Sequence, residues 1–426
     1  MTSRQPKPRS LIILGAILIQ LALGILYAWS VFTPPLEAVG WSKIQTQYVF
    51  SAALISFAIV MVMAGKLLPK VGPRKLAISG GVLLGLAYLL AGFFGKTNVF
   101  ALISLLGVLS GVGIGLAYVV PIAVGMRWFP DKKGLITGLA VAGFGFGATL
   151  WVKLAGSWGK LLTTYGLSKT LVIYGLVLVT MAVVGGWQMK FPPEGWKPDN
   201  FGLKKKKTVR ATKKALNLNF KQVLRTVTFY KIFSTFMFSA SAGLMTIGLM
   251  KLFPKEALVL GNPKISENQA SAIAGTAMAV FFSLANGIGR IVWGTISDKI
   301  GRKLSIIIMT ASQGLLMTLF PWFARQQYSL YVASSLIGFN FGGNFALFPA
   351  ITADAFGAEH FGQNYGWVFL SYGLAGILGP VLGGRLGDLQ NFPLAFSICG
   401  VLCLVSSGIG WSIKSQSPKR PLMLAS

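Results

Sequence analysis

The chain has 426 residues, of which 54% are hydrophobic and only 12% are charged, and its mean hydropathy is +0.67. Soluble domains carry about 25% charged residues, so this composition excludes an ordinary soluble protein and predicts one that crosses a membrane several times. The net charge of +29 is concentrated in alternate loops, which indicates cytoplasmic loops rather than nucleic-acid binding.

The first apolar segment, from about Leu11 to Phe32, follows a short basic stretch. It is too long for the apolar part of a signal peptide and has no small-residue cleavage site. We therefore predict a first membrane helix, ended or kinked at Pro34 and Pro35, with the N-terminus in the cytoplasm.

Further apolar segments follow along the chain, and together they predict an all-α membrane protein with twelve transmembrane helices in two pseudo-symmetric six-helix bundles. The expected domains are residues 1–190, a basic cytoplasmic linker over 191–227, and residues 228–426, which places the C-terminus in the cytoplasm too. The segments lie at about 11–33, 46–68, 75–95, 98–126, 134–157, 169–189, 228–252, 269–297, 304–324, 329–353, 363–386 and 392–413.

The two predicted halves contain matching motifs. GKLLPKVGPRK begins at Gly65 and GTISDKIGRK at Gly294, which is 229 residues later. GLAYVVP and GNFALFP begin at Gly115 and Gly343, an offset of 228 residues. Two matches at nearly the same offset indicate a duplicated six-helix unit.

A duplicated six-helix unit with a basic Gly-turn loop after the second helix of each half resembles the major facilitator superfamily. The family's loop signature is approximately GxxxDRxGRRK. The resemblance implies that Asp298, Arg302 and Arg74 hold the cytoplasmic ends of neighbouring helices together. The first copy has Pro69 in place of the family's aspartate, so we expect the weaker latch in the first half.

Longer stretches narrow the resemblance to the oxalate:formate antiporter group and the related monocarboxylate transporters. These are RWFPDKKGLITGLAVAGFGFG, NGIGRIVWGTISDKIGR, ALFPAITADAFG and NYGWVFLSYG, and the similarity runs from about residue 11 to 413. In that group a helix-8 arginine binds the substrate carboxylate, and Arg290 occupies its position.

The residues themselves also point to Arg290, because a central arginine costs about 2.5–3.5 kcal/mol on insertion scales and normally serves an anion. Asn286 lies one helical turn earlier. Two alternatives stay open at this stage. Arg290 can snorkel to the cytoplasmic interface, and Asn286 can make a plain interhelical hydrogen bond instead of orienting Arg290 or binding substrate.

The resemblance also implies the substrate's charge. The oxalate exchanger has a second cation, a helix-11 lysine, where this chain has Tyr372. One intramembrane cation suits a monocarboxylate similar to lactate or pyruvate, because an unpaired second carboxylate is costly in a low-dielectric cavity. Lys153, near the outer end of helix 5, is an alternative second cation that we expect to snorkel.

Aromatic residues fall where the related antiporters line their cavity, with packing as the alternative role for each. Phe144 and Phe345 replace tyrosines of the oxalate exchanger, which makes the cavity more apolar. The predicted substrate-binding set is Arg290, Asn286, Tyr118, Tyr372, Phe341, Phe369, Tyr27, Phe144 and Phe345.

Animal monocarboxylate transporters have a proton-coupling aspartate at the position of Asn286, and we find no acidic residue in the middle of any predicted helix. A proton would then travel on the substrate as the neutral acid, or enter the arginine site through water.

The predicted function is secondary active, proton-coupled transport (symport) of small monocarboxylates by alternating access, in a monomer of the cell inner membrane. An oxalate:formate-type anion exchanger, which needs no proton carrier, is the alternative. A membrane sensor of the same fold is a more remote alternative. We expect no enzyme activity, cofactor or metal, because the chain shows no metal cluster, nucleophile–base pair or cofactor motif.

Overall fold

The computed structural model describes residues 9–94, 98–129, 133–193, 218–249, 252–357 and 360–413. Within these ranges the regular structure is helical throughout, which confirms the predicted all-α class. Eleven of the described helices are long and apolar enough to cross a membrane. A shorter apolar helix, Val141–Ala155, lies within one more long helical segment, Lys133–Ala155.

We number the twelve long helical segments α1 to α12. They are α1 (Arg9–Val31), α2 (Lys43–Val71), α3 (Pro73–Phe94), α4 (Val99–Gly125), α5 (Lys133–Ala155), α6 (Leu161–Gln188), α7 (Val227–Leu249), α8 (Glu267–Ile300), α9 (Arg302–Phe323), α10 (Gln327–Phe356), α11 (Phe361–Asp388) and α12 (Phe392–Trp411). Three short helices, Thr33–Glu37, Phe220–Val223 and Phe253–Gly261, lie between them.

Two boundaries differ from the sequence prediction in informative ways. The α6 segment begins at Leu161 rather than near residue 169, because Gly166, with φ of 72°, joins a short N-terminal piece to the long helix across a kink. The last part of α1 narrows to a 3₁₀ helix over Gly24–Val31. Pro34 and Pro35 then lie at the start of the short helix after it, where proline is tolerated.

Helices from the first half of the chain pack directly on helices of the second half. The most extensive of these contacts are between α2 and α11 and between α5 and α8. Glycines allow the close approach, since a Cβ at Gly376 of α11 would lie 2.5 Å from the Cβ of Leu54 on α2. Because α8 corresponds to α2 and α11 to α5 in a duplicated chain, the two contacts are equivalents of each other.

The repeated motifs adopt matching backbone conformations. Gly72 ends α2 with φ of 87°, and Gly301 ends α8 with φ of 93°. Such positive φ values favour glycine, and each residue donates its N–H to the carbonyl four residues earlier. Pro121 and Pro349 likewise lie inside α4 and α10.

The predicted linker lies mostly outside the described residues, since residues 194–217 are among those not described. Its basic run, Lys204 to Lys207, belongs to that segment, and the domain boundaries stay a prediction.

We call the end of the bundle where α1 and α12 meet the chain termini the proximal face. The opposite end, where α1 leads into α2, is the distal face.

Candidate functional site

Arg290 lies between the two halves of the chain and is 1% exposed. Its Nε donates to Asn286 Oδ1 at 3.1 Å, and its Nη1 donates to the Val141 carbonyl of α5 at 2.7 Å. A π-helical stretch, Ala277–Phe282, precedes this part of α8. The side chain therefore does not snorkel to the proximal face, because it is held inside the bundle by α5.

Two donors of this pair have no hydrogen-bond acceptor among the described residues, namely Arg290 Nη2 and Asn286 Nδ2. Both atoms are buried. A buried donor without an acceptor costs about 1–3 kcal/mol, and more when it is charged. Among the charged side chains whose burial the structure describes, Arg290 is also the only one that is fully buried. The pair is therefore suited to bind a small anion through two N–H groups.

Aromatic rings surround the guanidinium. Its Cζ lies 4.2 Å from the ring centroid of Phe345 and 5.8 Å from that of Phe144. Cation–π contact at these distances stabilises the arginine without neutralising its charge. The hydroxyls of Tyr27 and Tyr118 lie close enough to the guanidinium to interact with it.

Tyr27 of α1 and Tyr372 of α11 share a hydrogen bond of 2.8 Å between their hydroxyls. Tyr372 also contacts Phe345 and Phe369, with centroids 5.4 and 4.9 Å apart. Phe341 completes the set, since its ring centroid lies 5.8 Å from that of Tyr27. All nine predicted site residues thus form one contiguous buried group, which we call the central cluster.

The chain as a whole matches one family model. The match covers residues 12–261 and 257–422 and is described as Major Facilitator Superfamily. The chain belongs to the major facilitator superfamily. Members of this superfamily are transporters, so the protein is a multi-pass membrane transporter.

Several curated superfamily proteins are similar to the chain over most of its length. An uncharacterized MFS-type transporter of Escherichia coli (strain K12) is 29% identical over 88% of this chain and 87% of its own length. The oxalate:formate antiporter of Oxalobacter formigenes is 27% identical, over 93% and 88%. Monocarboxylate transporter 14 of Homo sapiens is 24% identical, over 91% and 85%.

The superfamily loop after α8 forms a charge cluster at the proximal face. Arg302 pairs with Asp298 at 2.5 Å, bonds the Ser297 hydroxyl, and lies 3.5 Å from Asp354 at the end of α10. We call Asp298, Arg302 and Asp354 the proximal latch. Asp354 is 52 residues from Arg302 in the chain, and no sequence motif indicates that the two are partners.

The corresponding loop after α2 is built differently. Arg74 lies over the ring of Trp187 in α6, with Cζ 4.5 Å from the ring centroid. The residue at the aspartate position, Pro69, lies inside α2. Arg74 is thus held by an aromatic ring, and the structure does not bring it together with Asp298 and Arg302.

Three further groups contribute to the central cluster and were not among the predicted site residues. Phe57 of α2 contacts four of its rings, with centroids 5.1–6.4 Å away. Phe236 of α7 contacts Phe369 and Tyr372. The Val141 carbonyl binds Arg290. A phenylalanine or a backbone carbonyl in an apolar helix gives no sequence signal of such a role. Lys153 is half-buried on α5, outside the cluster.

Proposed function

We propose that the protein is a secondary active transporter of small monocarboxylates similar to L-lactate or pyruvate, coupled to protons and working by alternating access. The central cluster would be its substrate site. The observation that carries the proposal is that Arg290 Nη2 and Asn286 Nδ2, on two side chains that bond each other, are both buried donors without acceptors in the described ranges. A carboxylate offers two oxygens to such a pair.

Charge balance favours one carboxylate over two. The described part of the chain holds one fully buried charge, that of Arg290. A monocarboxylate neutralises it, whereas a dicarboxylate would leave one uncompensated negative charge in a low-dielectric environment. The surrounding phenylalanines suit the small apolar end of a lactate-like acid. Human monocarboxylate transporter 14, by its name, supports the same substrate class.

The remaining polar groups of the central cluster have distinct proposed roles. Tyr118, close to the guanidinium, would donate to the bound carboxylate. Tyr27 and Tyr372 bond each other across the two halves, and the hydroxyl that accepts in this bond keeps its own O–H to donate to a substrate. Neutralisation of Arg290 by the anion would ease closure of the two halves around it.

The proposed orientation places the proximal face in the cytoplasm, because lysine and arginine are concentrated in the loops of that end. The distal face then meets the outside of the cell membrane.

Anion exchange of the oxalate:formate type is the second candidate. It is supported by the antiporter that matches 93% of this chain. Within the described ranges no Asp or Glu is fully buried, and exchange would require no protein group to carry a proton.

Uptake of labelled L-lactate into proteoliposomes, with and without an inward proton gradient, tests the proposal. We expect gradient-driven uptake in the parent protein and its loss in Arg290→Ala. Lys153→Ala, which removes a cation outside the central cluster, is the matched control and should transport normally. No lactate uptake together with rapid oxalate–formate counterflow would replace the proposal by the exchanger.

A further inference from the structure

A group of charged residues at the distal face lies outside the proposed substrate site. Glu37 follows α1, Lys43 begins α2, Glu256 lies on the short helix after α7, and Asp388 ends α11. We call these four residues the distal latch. They come from both halves of the chain, so their contacts exist only while the distal ends are together.

Asp388 caps a helix of the opposite half. Its carboxylate accepts the backbone N–H groups of Lys43 at 2.8 Å and Ile44 at 3.1 Å. These donors belong to the first turn of α2, where no carbonyl of the same helix can accept them. The positive end of the helix dipole also favours a carboxylate there. The bond therefore fastens α11 to α2.

Lys43 makes the second connection. Its Nζ lies 2.7 Å from Glu256 Oε1 and 3.4 Å from the Gly387 carbonyl, and it sits 4.7 Å from the centroid of the Phe392 ring. Its side chain is only 13% exposed. The lysine charge is thus already bound by a carboxylate, a carbonyl and an aromatic ring of the second half.

Glu37 differs from the other two carboxylates of the distal latch, because these contacts do not include it. Its Oε1 is buried and has no hydrogen-bond partner within the described ranges. The charged groups that face it are Lys43 of α2, Lys255 and Glu256 of the short helix, and Asp388 of α11. Lys255 is itself paired with Glu267 at 2.6 Å. An ionised Glu37 would add a third negative charge around a lysine that is already paired.

We propose that protonation of Glu37 favours closure of the distal latch, so that acidity on the distal side shifts the transporter toward its distally closed states. This inference rests on the proposed alternating access. Burial raises the pKa of the Glu37 carboxyl to about 7, with Lys43 opposing the rise and Glu256 and Asp388 adding to it.

The sign of the effect follows from linkage. Separation of the distal ends hydrates Glu37 and returns its pKa toward the ordinary value of about 4.3. Closure therefore takes up a proton. Its advantage is complete below the ordinary pKa and is lost as the pH rises through about 7. One titrating group changes the closed-to-open ratio by at most about tenfold per pH unit.

A pair of spin labels at the distal face measures this ratio directly. Trp158 follows α5 and Tyr328 lies at the start of α10, and both are strongly exposed. Cysteines at these two positions, in a full-length protein carrying Cys399→Ser and Cys403→Ser, would report the distal separation in lipid. Distances would be recorded from pH 5.5 to 8.5.

We expect the short distance to predominate at pH 5.5 and its share to fall as the pH rises toward 7, where the dependence on pH levels off. Glu37→Gln, a neutral mimic of the protonated acid, should keep the short distance throughout. Lys264→Gln removes an exposed charge of the same face that is not among the groups facing Glu37 and should behave like the parent. Asp388→Asn should favour the long distance at every pH and so shows that the labels detect opening.

A parent protein whose distances ignore pH, or a Glu37→Gln variant that keeps the parent's response, overturns the inference. These outcomes are separate from failure of the proposed function. A pH-dependent distance without uptake of lactate would contradict the substrate assignment and support the role of Glu37. Lactate uptake with pH-independent distances would support the substrate assignment and contradict the role of Glu37.

Discussion

The hydroxyl of Tyr27 on α1 lies 2.8 Å from that of Tyr372 on α11, and both side chains are almost completely buried. The bond joins the first half of the chain to the second at the centre of the bundle. It lies beside Arg290, which makes its own connection between the halves through the Val141 carbonyl. The proposed binding residues are therefore also the residues that hold the two halves together.

Tyr27→Phe and Tyr372→Phe should each raise the apparent KM for lactate by about 2- to 10-fold, the range for one hydrogen bond. Because both substitutions remove the same bond, the double variant should be little worse than either single one. Uptake kinetics at equal expression measure this. Tyr48→Phe, at an exposed site on α2, is the control. Fully additive losses would show that the two hydroxyls act independently.

Arg290→Lys should weaken lactate binding at least tenfold, although it keeps the positive charge. A lysine cannot bond Asn286, the Val141 carbonyl and a carboxylate with the fixed geometry of a guanidinium, and one charge-assisted bond is worth about 1.5–3 kcal/mol. Equilibrium binding of labelled lactate to the purified protein tests this. Normal affinity in the lysine variant would rule out recognition through the guanidinium fork.

Tyr372→Lys should shift selectivity from lactate toward oxalate by tenfold or more. It places a second cation in the central cluster, which can pair with the second carboxylate of oxalate and compensate its charge. Competition of unlabelled oxalate against lactate uptake gives the ratio. Tyr372→Phe loses the same hydroxyl without gaining a charge and should show no such shift. Equal selectivity in both variants would contradict the charge-balance argument.

Gly145→Ala should reduce transport severalfold without preventing insertion. A Cβ at this position of α5 would lie 2.8 Å from Asn286 Oδ1 and 3.1 Å from the backbone nitrogen of Gly287, so α8 and the Arg290–Asn286 pair must move. Gly275→Ala is the matched control, because a Cβ at this position of α8 meets no atom within 4 Å. Uptake rates normalised to protein in the membrane would show the difference, and equal rates would mean that the α5–α8 contact tolerates displacement.

The helical class, the number of long segments and the repeated loops follow from the sequence alone. Long apolar runs must satisfy their backbone groups internally in lipid, which leaves helices as the solution for such runs. Gly72 and Gly301 mark equivalent turns because their backbone conformation disfavours other residues. Arg290 and Asn286 stood out as well, since polar side chains are costly in the middle of a membrane helix.

The tertiary structure decided which groups meet. Phe57 and the Val141 carbonyl join the central cluster through the packing of α2 and α5 against the second half, which has no signature within either helix. The same holds at the two faces, where Asp354 reaches Arg302 and Asp388 caps α2. A side chain's cost of burial depends on its own chemistry and is visible in the sequence. Its partners depend on long-range packing. Nothing in the sequence therefore distinguishes Glu37, whereas in the folded protein it is half-buried, with its Oε1 atom lacking a hydrogen-bond partner in the described ranges.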